Sequence, residues 1–368
     1  MKVIDKYIFK LCNQAIVTVI GCLLTLTSLF ALFEELNESD ITYGFWEATN
    51  YILATTPYRT QEVLIYSVFL GVLISLGRLA ESNELTILRT SGWSPLHHLG
   101  CLLPTIIIWV VFSMLISEFQ IPNSEKNAEI QKIQSDDGQL ASRSPGGLWF
   151  KDKNLFMRID AIGSDINIVV ITQYWLDDRQ GLGEVIYADS GNYQIEEQNW
   201  ILVDIRQTSF ETNRITTSTS ERKAWLNSIS PDTLASQAFI EPKKMSLVEL
   251  ADQISYLEEQ KISKSQYSIA FWARVLEPLA YIGLTLYSIA ILLGPMRETS
   301  AGSRIVVGVF SGLGFMYLKN LFSPMVSAFG LPAILAILIP IAIVYLLSLI
   351  HISEPTRPLY ISYAVFCL

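Results

Sequence analysis

Cysteine, histidine and basic charge are all scarce in this chain. It has four cysteines in 368 residues, Cys12, Cys22, Cys101 and Cys367. None falls between Cys101 and Cys367, so the middle of the chain has no disulfide framework, even in an oxidising space. The three histidines, His97, His98 and His351, form no Cys/His cluster and offer no metal-ligand pattern. Lysine plus arginine number 26 against 35 acids, a net charge of −9. That balance argues against nucleic acid as a partner, because phosphate backbones need a basic face. A G-x-x-x-x-G-K-[ST] phosphate loop is absent as well, so energy from ATP by that route must come from another chain.

Charged residues make up only 17% of the chain and hydrophobic ones 51%. A composition this apolar fits an integral membrane protein with a soluble part. Six hydrophobic stretches stand three and three around a polar insert. Leu11–Phe33, Val63–Gly77 and Thr90–Ser117 precede it, and Pro278–Met296, Ile305–Leu318 and Leu331–Ile350 follow it. A crossing needs about 20 apolar helical residues, so most of these can span a bilayer alone. Leu11–Phe33 exceeds a signal-peptide core and has no small-residue cleavage site after it, so it reads as a retained span. Lys2, Lys6 and Lys10 precede it against Asp5 alone, and Glu34, Glu35, Glu38, Asp40 and Glu47 follow it. The positive-inside rule then places both termini in the cytoplasm and the insert outside. The expected division is 1–118 for spans one to three, 119–265 for the insert and 266–346 for spans four to six. From Leu347 the chain matches the translation of a common transposon-end sequencing adapter, so 347–368 reads as a non-native tail. A genuine amphipathic tail is the alternative.

Between the spans, Phe45–Thr56 reads as an amphipathic helix at the outer interface with Trp46 and Tyr51 at headgroup depth. Arg78–Gly92 places Arg78, Glu81, Glu84 and Arg89 among Leu79, Leu85, Ile87 and Leu88, an amphipathic inner helix stopped by Ser91-Gly92. The insert opens with a weakly helical stretch, Glu118–Leu140. Short strands follow at Asn154–Ile159, Asp165–Ile171, Gly183–Ala188 and Trp200–Ile205, rich in Val, Ile, Phe and Tyr. Turn signals separate them at Pro145-Gly146-Gly147, Asp177–Gly181 and Asp189-Ser190-Gly191. This punctuation predicts an antiparallel sandwich or jelly roll, with Trp149 in its core. Ser246 and Glu249 form a capping box opening a helix with Leu247, Leu250, Ile254 and Leu257 on one face. In span four, Arg274 and Glu277 share a helical face, as an internal ion pair or as a ligand site. Gly308 and Gly312 in span five have the spacing that lets helices approach closely.

Taken in order, several short motifs carry a resemblance. Gly147-Leu148-Trp149-Phe150-Lys151-Asp152 opens the strand region, Met245-Ser246-Leu247 starts the return helix, and Tyr267, Phe271, Trp272 and Arg274 enter span four. Gly294-Pro295, Arg297, Gly302 and Arg304 form the inner loop, and Gly330 with Pro332 opens span six. The chain resembles the LptF/LptG lipopolysaccharide-export permease family, on its LptG-like branch. The resemblance implies a six-span helical membrane protein of the Gram-negative inner membrane with an inserted all-β periplasmic jellyroll. It implies a non-enzymatic subunit of an ATP-driven ABC transporter that extracts lipopolysaccharide and passes it to a periplasmic bridge. The implied partners are a paralogous LptF-type permease, a cytoplasmic LptB-type ATPase dimer that carries ATP and Mg, and a single-span LptC-type jellyroll protein. Two other readings stay open: a mechanotransmitting permease that moves no substrate, and a membrane-anchored docking module.

Residue by residue, the resemblance assigns ATPase coupling to the helix at 81–92, with Glu81, Glu84, Leu85, Leu88, Arg89 and Gly92. A solvated surface helix is the plain alternative. Arg59 and Lys319, with Phe315 nearby, are candidates for binding the phosphorylated substrate, or for snorkelling to lipid headgroups. Lys319 stands about 25 Å up span five from Gly302 at helical rise. The family's lysines after span one are replaced here by Glu34, Glu35 and Glu38, which favours a cation bridge or the partner subunit for headgroup binding. Gly308 and Gly312 pack span five either against the paralogue's first span as a lateral gate or within this chain.

Overall fold

The computed structural model describes residues 3–38, 44–135, 148–152, 154–162, 168–177, 181–194, 199–211, 214–225, 241–293 and 300–353. The turn at Pro145–Gly147, the inner loop at 294–299 and residues 354–368 lie outside the described residues. So do the side chains of Arg89 and Arg304. The chain divides into two units, Met1–Thr27 with Arg59–Ile116 and Ser268–Leu368, and Ser28–Tyr58 with Ser117–Tyr267.

The first unit is helical. Its elements are α1 (Val3–Glu38), α3 (Thr56–Glu81), α4 (Glu84–Thr90), α5 (Pro95–Leu115), α8 (Ser265–Val275), α9 (Glu277–Leu293), α10 (Ala301–Ala328) and α11 (Leu335–Ser353). Among the described residues five helices are long and apolar enough to cross a membrane, and the bent pair α8–α9 makes a sixth. The bend is 55° and falls at Leu276, just before Pro278. Proline supplies no N–H, its ring collides with the carbonyl four residues back, and it disfavours helical geometry in the residue before it. α11 continues through Leu347 to Ser353, so the first part of the stretch expected to be foreign is helical here.

α3 is the central helix of this unit. Leu64, Val68, Phe69, Val72, Leu73 and Leu76 are all buried in a core shared with Ile8, Cys12 and Ile16 of α1 and with Tyr281, Leu284 and Ile291 of α9. Glycines set the closest approaches. A Cβ at Gly71 would stand 2.7 Å from the Cα of Ile16, and one at Gly308 would strike the side chains of Leu73 and Leu70. In lipid there is no hydrophobic drive between helices, so such contacts and interhelical hydrogen bonds hold the bundle. Trp109 donates to Asn13 Oδ1 at 3.0 Å, linking α5 to α1. The hydroxyl of Ser288 donates to the carbonyl of Phe69 at 3.2 Å, linking α9 to α3.

The second unit joins a helical platform to a β domain. The platform comprises the end of α1, α2 (Phe45–Ala54), a π-helical turn (Ile116–Gln120), α6 (Ile121–Ser135), a 3-10 turn (Pro242–Lys244) and α7 (Leu247–Glu259). A helix forms at α2 where one was expected, but Tyr51 is engaged inward: its hydroxyl donates to Glu129 at 3.4 Å and Lys132 lies over its ring. Lys132 pairs with Glu35 at 2.6 Å, and Lys244 pairs with the buried Glu125 at 2.8 Å while lying over Tyr58. Both halves of the capping box at Ser246 and Glu249 form, and Glu118 adds a bond to the Leu247 N–H.

The β domain is one antiparallel sheet whose six strands follow chain order: β1 (Leu148–Asp152), β2 (Leu155–Ile162), β3 (Ile168–Leu176), β4 (Leu182–Gln194), β5 (Asn199–Glu211) and β6 (Arg214–Trp225). The inserted all-β domain is thus as expected, built here as a meander. The expected turn at Asp189-Ser190-Gly191 is instead mid-strand in β4. There the ladder omits one pair, Val170 with Asp189, and keeps its register on both sides, with Ile171 opposite Ala188 and Val169 opposite Ser190. β5 does the same, with Ala188 opposite Ile205 and Ser190 opposite Val203. Val170 and Asp204 take φ of 59° and 54° on this line. A strand alternates faces at every residue, yet the buried positions on either side are three apart: Ile168 and Ile171, Gly191 and Ala188, Leu202 and Ile205. The sheet is therefore creased, and the segments on both sides of the crease face one core. Gly191 fits tightly there, since a Cβ would meet Leu202 Cδ2 at 3.2 Å. Trp200 is fully buried in that core, edge-on to Tyr193 at 5.2 Å. Trp149, expected in the core, is 57% exposed and stacks on Tyr174 on the outer face, because Phe150 takes the inward position.

Candidate functional site

The connection between α3 and α5 is a helix held between two left-handed residues. The sequence pattern predicts one continuous amphipathic helix from Arg78 to Gly92. The structure breaks it after Glu81: Asn83 has φ of 65° and its N–H bonds to the Ala80 carbonyl, which closes α3. Asparagine tolerates this region better than most residues because its side chain is short and polar. Glu81 is then the exposed last residue of α3, and Glu84 opens α4. The Ser82 hydroxyl donates to Glu84 Oε1 at 2.9 Å, holding the carboxylate at the start of α4.

At the far end Gly92 has φ of 92° and the Trp93 N–H returns to the Leu88 carbonyl at 3.2 Å. This six-to-one bond with glycine in the left-handed position is a Schellman closure. Leu85 is buried in the helical core and Leu88 and Trp93 pack on it, which anchors one face of α4. On the other face Ile87 is 62% exposed. Trp93 leans on His97 at 4.3 Å and on the buried His98 at 5.4 Å, and Ser94 caps α5 by accepting from the His97 N–H. The result is a short helix closed at both ends, with glutamate at its start and an apolar side chain offered outward. Sequence reasoning missed Ser82 and Ile87; the i, i+2 Ser-x-Glu spacing at a helix start was the available signal for the first.

A second polar group lies among the spans. Glu277 follows the bend of α8–α9 and accepts from the Ser113 hydroxyl of α5 at 2.7 Å. Its carboxylate interacts electrostatically with Lys319 of α10 and with the buried Arg274. The charge of Lys319 is thus felt at Glu277, which the sequence did not suggest, and Arg59 is half-buried in the first turn of α3. Phe315, expected near substrate, is 3% exposed and sits in the helical core. Gly308 and Gly312 lie against Leu70, Leu73, Tyr66 and Phe69 of α3. Within this chain both glycines face α3, and at Gly308 the approach is too close for a side chain, since a Cβ would strike Leu73 and Leu70. The exposed face of α10 is instead that of Phe310, Leu313, Tyr317 and Leu321. The acids after span one are partly accounted for by the pairing of Glu35 with Lys132.

Comparison with known proteins decides the family. The family described as "Lipopolysaccharide export system permease LptF/LptG" matches residues 6–354. The chain belongs to the LptF/LptG permease family. The lipopolysaccharide export system permease protein LptG of Escherichia coli (strain K12) is 27% identical over 349 residues, covering 94% of this chain and 97% of its own length. The protein of the same name from Haemophilus influenzae is 27% identical over 338 residues, covering 92% and 94%. Membership gives the two sites a context: a permease with several membrane helices and an inserted β domain, whose family serves lipopolysaccharide export.

Proposed function

We propose that this chain is the LptG-like transmembrane subunit of an ATP-driven ABC exporter that lifts lipopolysaccharide from the inner membrane and hands it to a periplasmic jellyroll bridge. Both termini lie in the cytoplasm and the β domain in the periplasm. Nucleotide closure in an LptB-type dimer pushes on α4, where Glu84 and Ile87 meet the ATPase and Leu85 and Leu88 pass the displacement into α3 and α5. An LptF-type paralogue completes the cavity and an LptC-type protein extends the bridge. The single observation that carries the reading is the family match over nearly the whole chain, joined to a clipped helix of the kind that force transfer requires.

The test is co-expression with the paralogue and the ATPase, followed by reconstitution in proteoliposomes. Bound lipopolysaccharide after purification and ATP-dependent release of it to a soluble jellyroll acceptor are the expected results. A stable ATPase complex that carries no lipid would support mechanotransmission without transport. Failure to capture an ATPase would leave only a docking module.

A further inference from the structure

The platform of the second unit gathers more acid than base at its centre. Glu35 at the end of α1 and Glu125 in α6 are 9% and 4% exposed. Each has a lysine: Lys132 of α6 stands 2.6 Å from Glu35, and Lys244 of the 3-10 turn stands 2.8 Å from Glu125. Glu129 is a third acid, half-buried one turn after Glu125 on α6, a spacing at which like charges repel. It accepts from the Tyr51 hydroxyl of α2 at 3.4 Å. Lys132 lies over the ring of that same tyrosine, 4.8 Å from its centre, while its amine is engaged by Glu35. Lys244 lies likewise over Tyr58. Burial pushes the Glu129 carboxyl above the usual carboxylate range and the Glu125 charge adds to that, while Lys132, Lys244 and the Tyr51 hydroxyl draw it back. Among these side chains, three carboxylates share two ammonium groups. With Glu129 ionised the set carries one negative charge too many; with Glu129 protonated the two ion pairs balance. The contacts present are those of the balanced set: the lysines pair with the other two acids, and Glu129 is left to a hydroxyl. The same platform runs on to the β domain, since Tyr256 of α7 donates to the Lys151 carbonyl of β1 at 2.9 Å.

We propose that the platform is a proton-operated latch: one proton on Glu129 fastens α6 to α1, α2 and the 3-10 turn, and its loss to solvent loosens them. Ionised Glu129 competes with Glu35 for Lys132. Glu129 and Lys132 lie on one helix, three residues apart, so a lysine drawn to Glu129 no longer ties α6 to α1. The sign follows from linkage. A carboxyl that holds its proton more tightly in the folded chain than in the unfolded one gives stability that is complete at acid pH and lost as pH rises through its folded value. The joint between the first helix and the β-domain platform thereby answers to the pH of the compartment it faces.

The test is hydrogen exchange of the full chain in lipid nanodiscs, read over 45–54 and 121–135 from about pH 5 to about pH 8 and corrected for the intrinsic pH dependence of exchange. In the wild type, opening of both segments relative to β5 is expected to rise roughly threefold or more across that range. E129Q, which mimics the protonated acid, is expected to stay closed throughout. Y51F removes a bond that favours the ionised form, so the midpoint of opening is expected to move to higher pH. A merely structural hydrogen bond would instead raise opening equally at every pH. E125Q removes the like charge and is expected to move the midpoint to lower pH. A wild type whose opening does not change with pH overturns the proposal, as does an E129Q chain that opens as the wild type does. Should E129Q fail to fold, an unmoved midpoint in both Y51F and E125Q overturns it.

Discussion

Replacing Gly71 with alanine tests whether α1 is seated on α3 by backbone contact. The new Cβ would lie 2.7 Å from Ile16 Cα, 2.8 Å from its N and 2.5 Å from its Cγ1. Non-bonded carbons settle at about 3.5–4.0 Å, so the helices must part by about 1 Å. No rotamer change relieves a clash with backbone, unlike the one at Gly308, where leucine side chains can turn. Overpacking of a tight core costs about 1–3 kcal/mol, and alanine returns up to about 1 kcal/mol of helix propensity. Separation also loosens Ile8, Cys12 and Ile16 from the core they share with Leu64, Val68 and Leu73. The net expectation is a loss of about 2 kcal/mol, roughly a thirtyfold shift in the unfolding equilibrium. The assay is reversible SDS unfolding of the purified permease in mixed micelles. Gly314→Ala and Gly21→Ala are the controls, since a Cβ at either meets nothing within 4 Å; they should be neutral or stabilising. If Gly71→Ala unfolds with the controls, the close seating of α1 on α3 is wrong.

Other outcomes follow from the same reasoning. Gly92→Ala forces an L side chain into the left-handed region at a cost of about 1–2 kcal/mol, so α4 should loosen and lipopolysaccharide-stimulated ATP hydrolysis fall while complex assembly persists. Lys244→Ala leaves the buried Glu125 without its ion-pair partner, and unfolding free energy should drop by about 3–5 kcal/mol; Lys244→Met with Glu125→Gln should recover most of it. In the β domain, Trp200→Ala should cost about 3–5 kcal/mol and expose residues 148–225 to limited proteolysis. Trp149→Ala, at the exposed face, should leave the digestion pattern unchanged. The Arg158–Asp160 pair is partly open to solvent, so Asp160→Asn should shift stability by about 1 kcal/mol or less.

The spans were legible because membrane helices announce themselves by composition. α1, α3, α5, α9, α10 and α11 each fall on one of the apolar stretches read from the chain and take up most or all of it. Their ends were less visible: α1 extends through Lys6 and Lys10 because a helix leaving the apolar layer loses nothing by continuing into water. β6 escaped notice because Arg214–Trp225 is almost wholly exposed, so it shows no apolar alternation. The turn assigned to Asp189–Gly191 failed for a different reason. Turns and bulges draw on the same residues, and only cross-strand register separates them. In the connection between α3 and α5, Glu84, Leu85, Leu88 and Gly92 were readable from helical spacing and the glycine stop. The break at Asn83 was not, since nothing local distinguishes a left-handed asparagine from a helical one. Lys319 was picked for its depth; that its charge is felt at Glu277 depends on how the helices pack, which no local pattern encodes.

The crease across β3, β4 and β5 has one more implication. Because every strand crossing it carries the same extra step, the fold line behaves as a ruled score in a sheet of card. Losing one residue at the line in a single strand would turn half of that strand inside out while its neighbours stayed put. Length changes are therefore confined to the hairpin ends, and the domain is free to vary in height but not in where it folds.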